Sequence, residues 1–375
     1  MKKFNIGISD AQATEVVPIS PGEFDIDEYA EYAATLNKKC DGFWKSPSGV
    51  LVYRRMRVAE CFSYGCRDMK VSLENQLGAL KKSMAFKADV PNFLEPWYGI
   101  GTIASAFGGD YKWSEGNAPA MKASFSSLDE LLAYMPNEVA TTTIGNHTLR
   151  MIEYFMEKTG GKLPISLTDS QSPLNIAGYL LPLDQFFMSL LTEFDKVINL
   201  FDILSDLSLN FNEEQVKITG NARVYPGHGF ASSCCWKGLG MSDDNALMIS
   251  PEQYLQWVAP SVKKICKPSG GPAFHSCGNW AKWIDAVMNV KGLLMADGAF
   301  SPETDPDANT DLEAFHRLAN TGTILNARIV GDSATIEQQV RRLWVPGMRL
   351  VVVTYCSTAE EQARVYDLIH EICKP

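Results

Sequence analysis

The chain has 375 residues, of which 46% are hydrophobic and 10% aromatic, a composition that buries a sizeable core and excludes a wholly disordered chain. Its formal charge of −10 leaves no broad basic face for a phosphate backbone, which speaks against generic nucleic-acid binding. The length fits either two modest domains or one large barrel with insertions.

Residues 1–10 carry two lysines but lack the apolar run of roughly 7–15 residues that a secretory signal needs. No run of about 20 apolar residues occurs anywhere, so a cytoplasmic protein without a membrane segment is expected. Residues 28–38 and 72–86 read as helices, and 49–55 as an early strand. Residues 99–127 are rich in Gly, Ala and aromatics, including Gly108-Gly109 and Tyr111-Lys112-Trp113. That stretch fits a loop flanking an active site better than a packed element.

From about residue 160 onward, strand-like runs recur at 163–168, 221–225, 272–275, 292–295, 323–327 and 350–354, most of them followed by a helical pattern. An apolar-periodic stretch covers 174–201. Ser250-Pro251-Glu252-Gln253 has the hydroxyl, proline and glutamine of a capping-box helix start, and Pro260 is expected to break or kink the helix begun there. Residues 359–372 form an amphipathic helix with Ala363, Tyr366, Ile369 and His370 on one face. Six or more βα units without a Gly-rich dinucleotide fingerprint favour a closed barrel over an open sheet. The expected fold is α/β: a single (β/α)8 TIM barrel over residues 49–375, with an N-terminal helical extension, residues 1–48, packed on it and an insertion near residues 99–127.

Nine cysteines are scattered from Cys40 to Cys373 without a dense, even framework, and read as thiols. In Phe274-His275-Ser276-Cys277-Gly278, His275 and Cys277 are two residues apart and leave a strand end on one side. Cys356 holds a matching place after the last apolar strand, and the strand ends of a parallel barrel gather at one rim. His275, Cys277 and Cys356 are therefore the candidate metal ligands, a set that suits Zn²⁺ with one position open to an exogenous thiol. An ordinary packed H-x-C pair is the plainer alternative. Cys234 and Cys235 rank lower, since neighbours in an extended chain point opposite ways. Asp169, His228, Asp243 and Asp297 lie near predicted strand ends and are candidate substrate-binding residues. Asp244 reads as shaping the loop before a helix.

These motifs resemble the uroporphyrinogen decarboxylase superfamily, especially its corrinoid-related methyltransferase branch. The resemblance rests on Ser242-Asp243-Asp244 through Ile249-Ser250-Pro251-Glu252 and on His275-Ser276-Cys277-Gly278-Asn279. Looser agreement comes from Ala88-Asp89-Val90-Pro91 with Tyr98-Gly99, and from Ser172-Pro173-Leu174-Asn175-Ile176-Ala177. It spans roughly residues 65–373 and implies a (β/α)8 barrel. The methyltransferases of that branch hold zinc on an H-x-C pair and a distant cysteine, a pattern that His275, Cys277 and Cys356 match one by one. The decarboxylases proper carry Arg-Gln-Ala-Gly-Arg-Tyr near the N-terminus and Gly-His-Gly near the C-terminus. This chain has Arg54-Arg55-Met56-Arg57 and Tyr355-Cys356-Ser357 there, and its Gly227-His228-Gly229 lies mid-chain.

The expected function is zinc-dependent transfer of a methyl group between a methylated corrinoid and a small-molecule thiol or similar acceptor bound to zinc. No D-x-H-x-x-G cobalamin motif occurs, so a separate corrinoid protein is the expected partner. Two alternatives stand beside it. One is a metal-free decarboxylase of tetrapyrroles using Arg54, Arg55, Arg57 and Arg67; the other is a non-catalytic corrinoid- or porphyrin-binding accessory protein.

Overall fold

A computed structural model describes residues 10–374; the signal-sequence expectation rests chiefly on 1–9, which lie outside the described residues. The first helix, Ile26–Lys45, is capped by Asp25, whose side chain accepts from Glu28 N, and buries Tyr29, Ala33, Leu36, Cys40 and Phe43 along one stripe. Eight strands are described: β1 Gly49–Arg54, β2 Tyr111–Lys112, β3 Ala120–Met121, β4 Leu239–Ser242, β5 Pro272–His275, β6 Met295–Ala299, β7 Ile324–Ile329 and β8 Arg349–Thr354. Six of them make one parallel sheet in the order β1-β8-β7-β6-β5-β4, while β2 and β3 pair as a small antiparallel hairpin.

Isolated parallel bridges carry the sheet further, joining Ser242 to Gln171, Arg223 to Ile165 and Ile165 to Leu94. Between that last segment and β1 one backbone bond, Asp89 N to Val52 O at 2.8 Å, is joined by side-chain contacts. Asp89 Oδ2 accepts from Val52 N at 2.8 Å, and Asn92 Nδ2 donates to Arg54 O at 2.9 Å. The architecture is the expected α/β barrel type, with helices packed outside a parallel sheet and an unbroken ladder over six strands. No described helix is long and apolar enough to cross a membrane.

Strand register decides what faces inward. Ser242 lies beside His275, His275 beside Asp297, Asp297 beside Asn326, Asn326 beside Val351 and Val351 beside Leu51. Residues paired across a parallel ladder share a face, and this row shares it with Tyr53, Ala273, Met295, Ile324 and Val353, which pack together inside. The alternate residues Val52, Met241, Phe274, Ala296, Leu325, Leu350 and Val352 pack outward under the helices.

Several sequence expectations shift. The run expected at 174–201 divides into Pro173–Leu180, Leu183–Thr192 and Phe194–Thr219, the first break falling at Pro182 and the second at Glu193. The capping box at Ser250 is present, and Pro260 is accommodated by a π-helical turn, Tyr254–Val258, before helix resumes at Ala259–Cys266. The strand expected at 292–295 begins only at Met295, since Gly292 takes a positive φ of 83°. Residues 221–225 contribute single bridges rather than a strand, and β4 was not anticipated. Within 99–127 the first part is packed, with Ile103, Ala104, Ala106, Phe107 and Tyr111 buried, while most of 112–127 is exposed or half-buried as expected of a loop.

Candidate functional site

A cavity of about 460 Å³ opens at the C-terminal ends of the strands, the end where barrels gather their functional groups. One wall is built by β5, β6 and β7. His275 is the last residue of β5, and its Nδ1 lies 2.6 Å from Asp297 Oδ2 on the neighbouring strand. Asp297 is nearly fully buried and is gripped from the next strand as well: Arg328 Nε donates to Oδ2 at 3.0 Å and Asn326 Nδ2 to Oδ1 at 2.5 Å. Burial alone would raise the Asp297 carboxyl, but Arg328 and His275 overcome it and bring it to about 2. For His275 burial works the other way, and hydrogen bonds to Asp297 and Cys277 hold it well above its ordinary value. Trp280, buried in the layer under the helices, donates from Nε1 to Asp297 O at 3.1 Å.

With Nδ1 committed to Asp297, His275 turns Nε2 to the cavity. Cys277 Sγ lies 3.5 Å from it and Asp244 Oδ1 3.8 Å. Asp244 is itself oriented, because its Oδ1 accepts from Cys277 N at 2.7 Å. Ligand atoms from all three residues lie within 4.8 Å of one another. Metal bonds of about 2.0–2.3 Å at the tetrahedral angle place ligand atoms about 3.3–3.8 Å apart. The imidazole and thiol stand at that separation at 3.5 Å, the carboxylate is at its upper edge at 3.8 Å from Nε2, and every pair lies within 4.8 Å. Donor types, spacing and the Asp297–His275 hydrogen bond together fit a zinc-type dication.

The opposite wall holds a second constellation. His228 Nδ1 lies 2.7 Å from Glu95 Oε2, and its Nε2 3.6 Å from Asp169 Oδ2. Glu95 also accepts from Arg55 Nη2 at 3.2 Å and from Gly229 N at 3.2 Å. Burial pushes against ionisation of Glu95, yet Arg55 and then His228 bring its carboxyl down to about 2. Asp169 Oδ1 accepts from Gln171 Nε2 at 2.9 Å and Ser242 Oγ at 3.3 Å. Ser242 is the register partner of His275, so the two walls meet there. Phe62, Trp97 and Phe230 supply apolar lining, and Arg55, Arg57 and Arg328 supply cations. Arg57 pairs with Asp10, while Arg328 Nη2 is buried and has no hydrogen-bond partner among the described residues.

Of the residues singled out in the sequence, His275, Cys277, His228, Asp169 and Asp297 all line this cavity. Cys356 does not. It shares the outward parity of Val352, packs at 3% exposure in the layer under the helices, and burial pushes its thiol up to about 11. Tyr355 takes the inward place, packed against Val351 and Val353. Asp243 is likewise outside the cavity: it is fully buried, accepts from Ser172 Oγ at 2.5 Å, and burial raises its carboxyl to about 7. Its neighbour Asp244 is the one that reaches His275. Glu95 and Arg328 gave no local motif in the sequence, since each acquires its partners only across strands. Of the four arginines named there, Arg55 and Arg57 reach the cavity, whereas Arg54 Nε donates to Cys356 O and Arg67 lies over Tyr64 and Trp113.

A model of the uroporphyrinogen decarboxylase (URO-D) family matches residues 96–349. Among solved structures, a methyltransferase from Methanosarcina mazei superposes with a TM-score of 0.61 over 89% of this chain and 97% of its own, at 13% sequence identity. That likeness is one of fold. No curated protein matches the chain.

Proposed function

Since the chain belongs to the uroporphyrinogen decarboxylase family, we propose that its cavity is the site of a zinc-dependent methyltransferase. The methyl group moves from a methylated corrinoid, delivered by a separate protein, to a small thiol or comparable acceptor. The observation that carries this reading is the meeting of His275 Nε2, Cys277 Sγ and the Asp244 carboxylate within 4.8 Å in the barrel mouth. The fold likeness to a methyltransferase supports the reaction class.

His275, Cys277 and Asp244 would hold zinc, which would supply Lewis acidity toward a thiol at neutral pH without redox change. The residues of the chain do the rest. Asp297, fixed by Arg328 and Asn326, accepts the Nδ1 proton of His275 and so presents Nε2 as the ligand atom. Arg328 Nη2, unpaired among the described residues, offers a charged donor to an anionic group on the acceptor. His228, its Nδ1 directed at Glu95, keeps Nε2 toward Asp169 and the cavity, where it can take up a proton released by the acceptor. Phe62, Trp97 and Phe230 exclude water from that space.

Metal analysis of protein purified without added metal tests the reading. The native chain is expected to carry zinc, Cys277→Ser to lose it, and Cys356→Ser to keep it. Unchanged metal in Cys277→Ser refutes the site; loss in Cys356→Ser as well restores the His275, Cys277 and Cys356 set in place of the Asp244 one. The three cavity arginines favour one second reading, a metal-free decarboxylase of a polycarboxylated tetrapyrrole. Turnover of uroporphyrinogen that survives chelation selects it.

A further inference from the structure

Outside the cavity, the molecule carries a pair of neighbouring thiols. Cys234 and Cys235 are both exposed, and their sulfurs lie 3.8 Å apart. In an extended chain the two thiols would face opposite ways, but a turn at these residues brings them to one side. That turn is pinned at both ends. Ser233 pairs with Tyr225 through both backbone groups, and its Oγ donates to Asn37 Oδ1 at 2.6 Å and accepts from Cys235 N at 3.2 Å. On the other side Trp236 is buried, stacks on Trp44 and donates to Cys40 O. The thiols border a groove of about 430 Å³, lined also by Lys38, Asp41 and Lys162. The groove reaches Pro164 and Asn221, which precede the bridged residues Ile165 and Arg223. It therefore lies at the N-terminal ends of those segments, remote from the strand ends that bear His275.

We propose that Cys234 and Cys235 form a two-electron redox pair that closes reversibly to a vicinal disulfide, with a small organic disulfide as oxidant. The groove gives such an oxidant room to approach either sulfur. One cysteine loses its proton and attacks an oxidant sulfur; the oxidant S–S bond breaks and one thiol leaves with a proton. The second cysteine then attacks the protein-bound sulfur of the mixed disulfide, the Cys234–Cys235 bond forms, and the second thiol leaves with the remaining proton. Two protein thiols are oxidised by two electrons in all, and one disulfide is reduced to two thiols.

Reversibility rests on covalent geometry. Adjacent residues have Cα atoms about 3.8 Å apart across a trans peptide, less than the roughly 4.4–6.8 Å that relaxed disulfides span. The closed ring is strained, and strained, exposed disulfides are the readily reduced ones. The remaining thiols do not compete, because every cysteine other than Cys234, Cys235 and Cys277 is buried.

The test uses the full chain carrying Cys277→Ser, fully reduced, with one equivalent of an aromatic disulfide reagent that releases a coloured thiol. Closure of the pair releases two coloured thiols per chain, leaves the protein lighter by two hydrogens with no adduct, and is reversed by dithiothreitol. Adding Cys234→Ser or Cys235→Ser is expected to halve the release and leave a stable adduct on the surviving cysteine. A stable adduct on the intact pair, or a disulfide between two chains in its place, overturns the proposal.

Discussion

Glu95→Gln isolates the electrostatics of the cavity wall. Glu95 is buried, with its carboxylate held by Arg55, Gly229 N and His228, and its pKa falls from an ordinary 4.5 to about 2. Because the folded value is the lower one, the stabilisation is fully present above about pH 4.5 and is lost as pH falls toward 2. A difference of about 2.5 units at about 1.4 kcal/mol each gives about 3 kcal/mol near neutral pH, shrinking to roughly 1 kcal/mol near pH 3. The glutamine variant keeps the shape of the side chain but leaves the Arg55 guanidinium buried without its counter-charge. Urea unfolding of both proteins near pH 7 and near pH 3 measures the gap through midpoints and slopes. A gap that is the same at both pH values, or below about 1 kcal/mol at neutral pH, refutes the account, because the stabilisation would not then come from an ionised carboxylate.

Three further outcomes are expected from the packing around the site. Asp297→Asn removes the charge that orients His275, and metal affinity measured by chelator competition is expected to fall about 10–100-fold with the fold retained; an unchanged affinity contradicts the assigned role of Asp297. Gly145→Ala tests close approach in the helix Thr143–Thr159: an added Cβ would sit 1.9 Å from Val139 O. It should destabilise by about 1–3 kcal/mol, where an unconstrained helical Gly→Ala gains roughly 1 kcal/mol, so the sign of the midpoint shift decides. Ser172→Ala removes both the N-cap of the helix Pro173–Leu180 and the hydroxyl that Asp243 accepts. A loss of about 1–3 kcal/mol in urea unfolding is expected, and a change within a few tenths of a kcal/mol would show that the cap carries no weight.

The sequence made legible what a single strand or helix end decides. His275 and Cys277 share a face because alternation within one strand is local, and the cap at Ser250 needs only four consecutive residues. Asp244, Glu95 and Arg328 escaped because their partners, His275, Arg55 and Asp297, come from other strands or loops, and no spacing along the chain encodes that meeting. Cys356 shows the limit most sharply. Leu350 to Val353 are apolar at every position, as expected of a strand covered on both sides, so the run carries no mark of which parity faces inward. In β5 the one polar residue, His275, breaks that symmetry; in β8 only the ladder does, by setting Val351 beside Asn326. Two steps along from Val353 in the same parity stands Tyr355, whose buried hydroxyl has no partner among the described residues. The facing of a residue past the end of such a strand is therefore a property of its neighbours in the sheet. A distant third ligand cannot be assigned from apolar spacing until one polar residue in the same row has fixed the register.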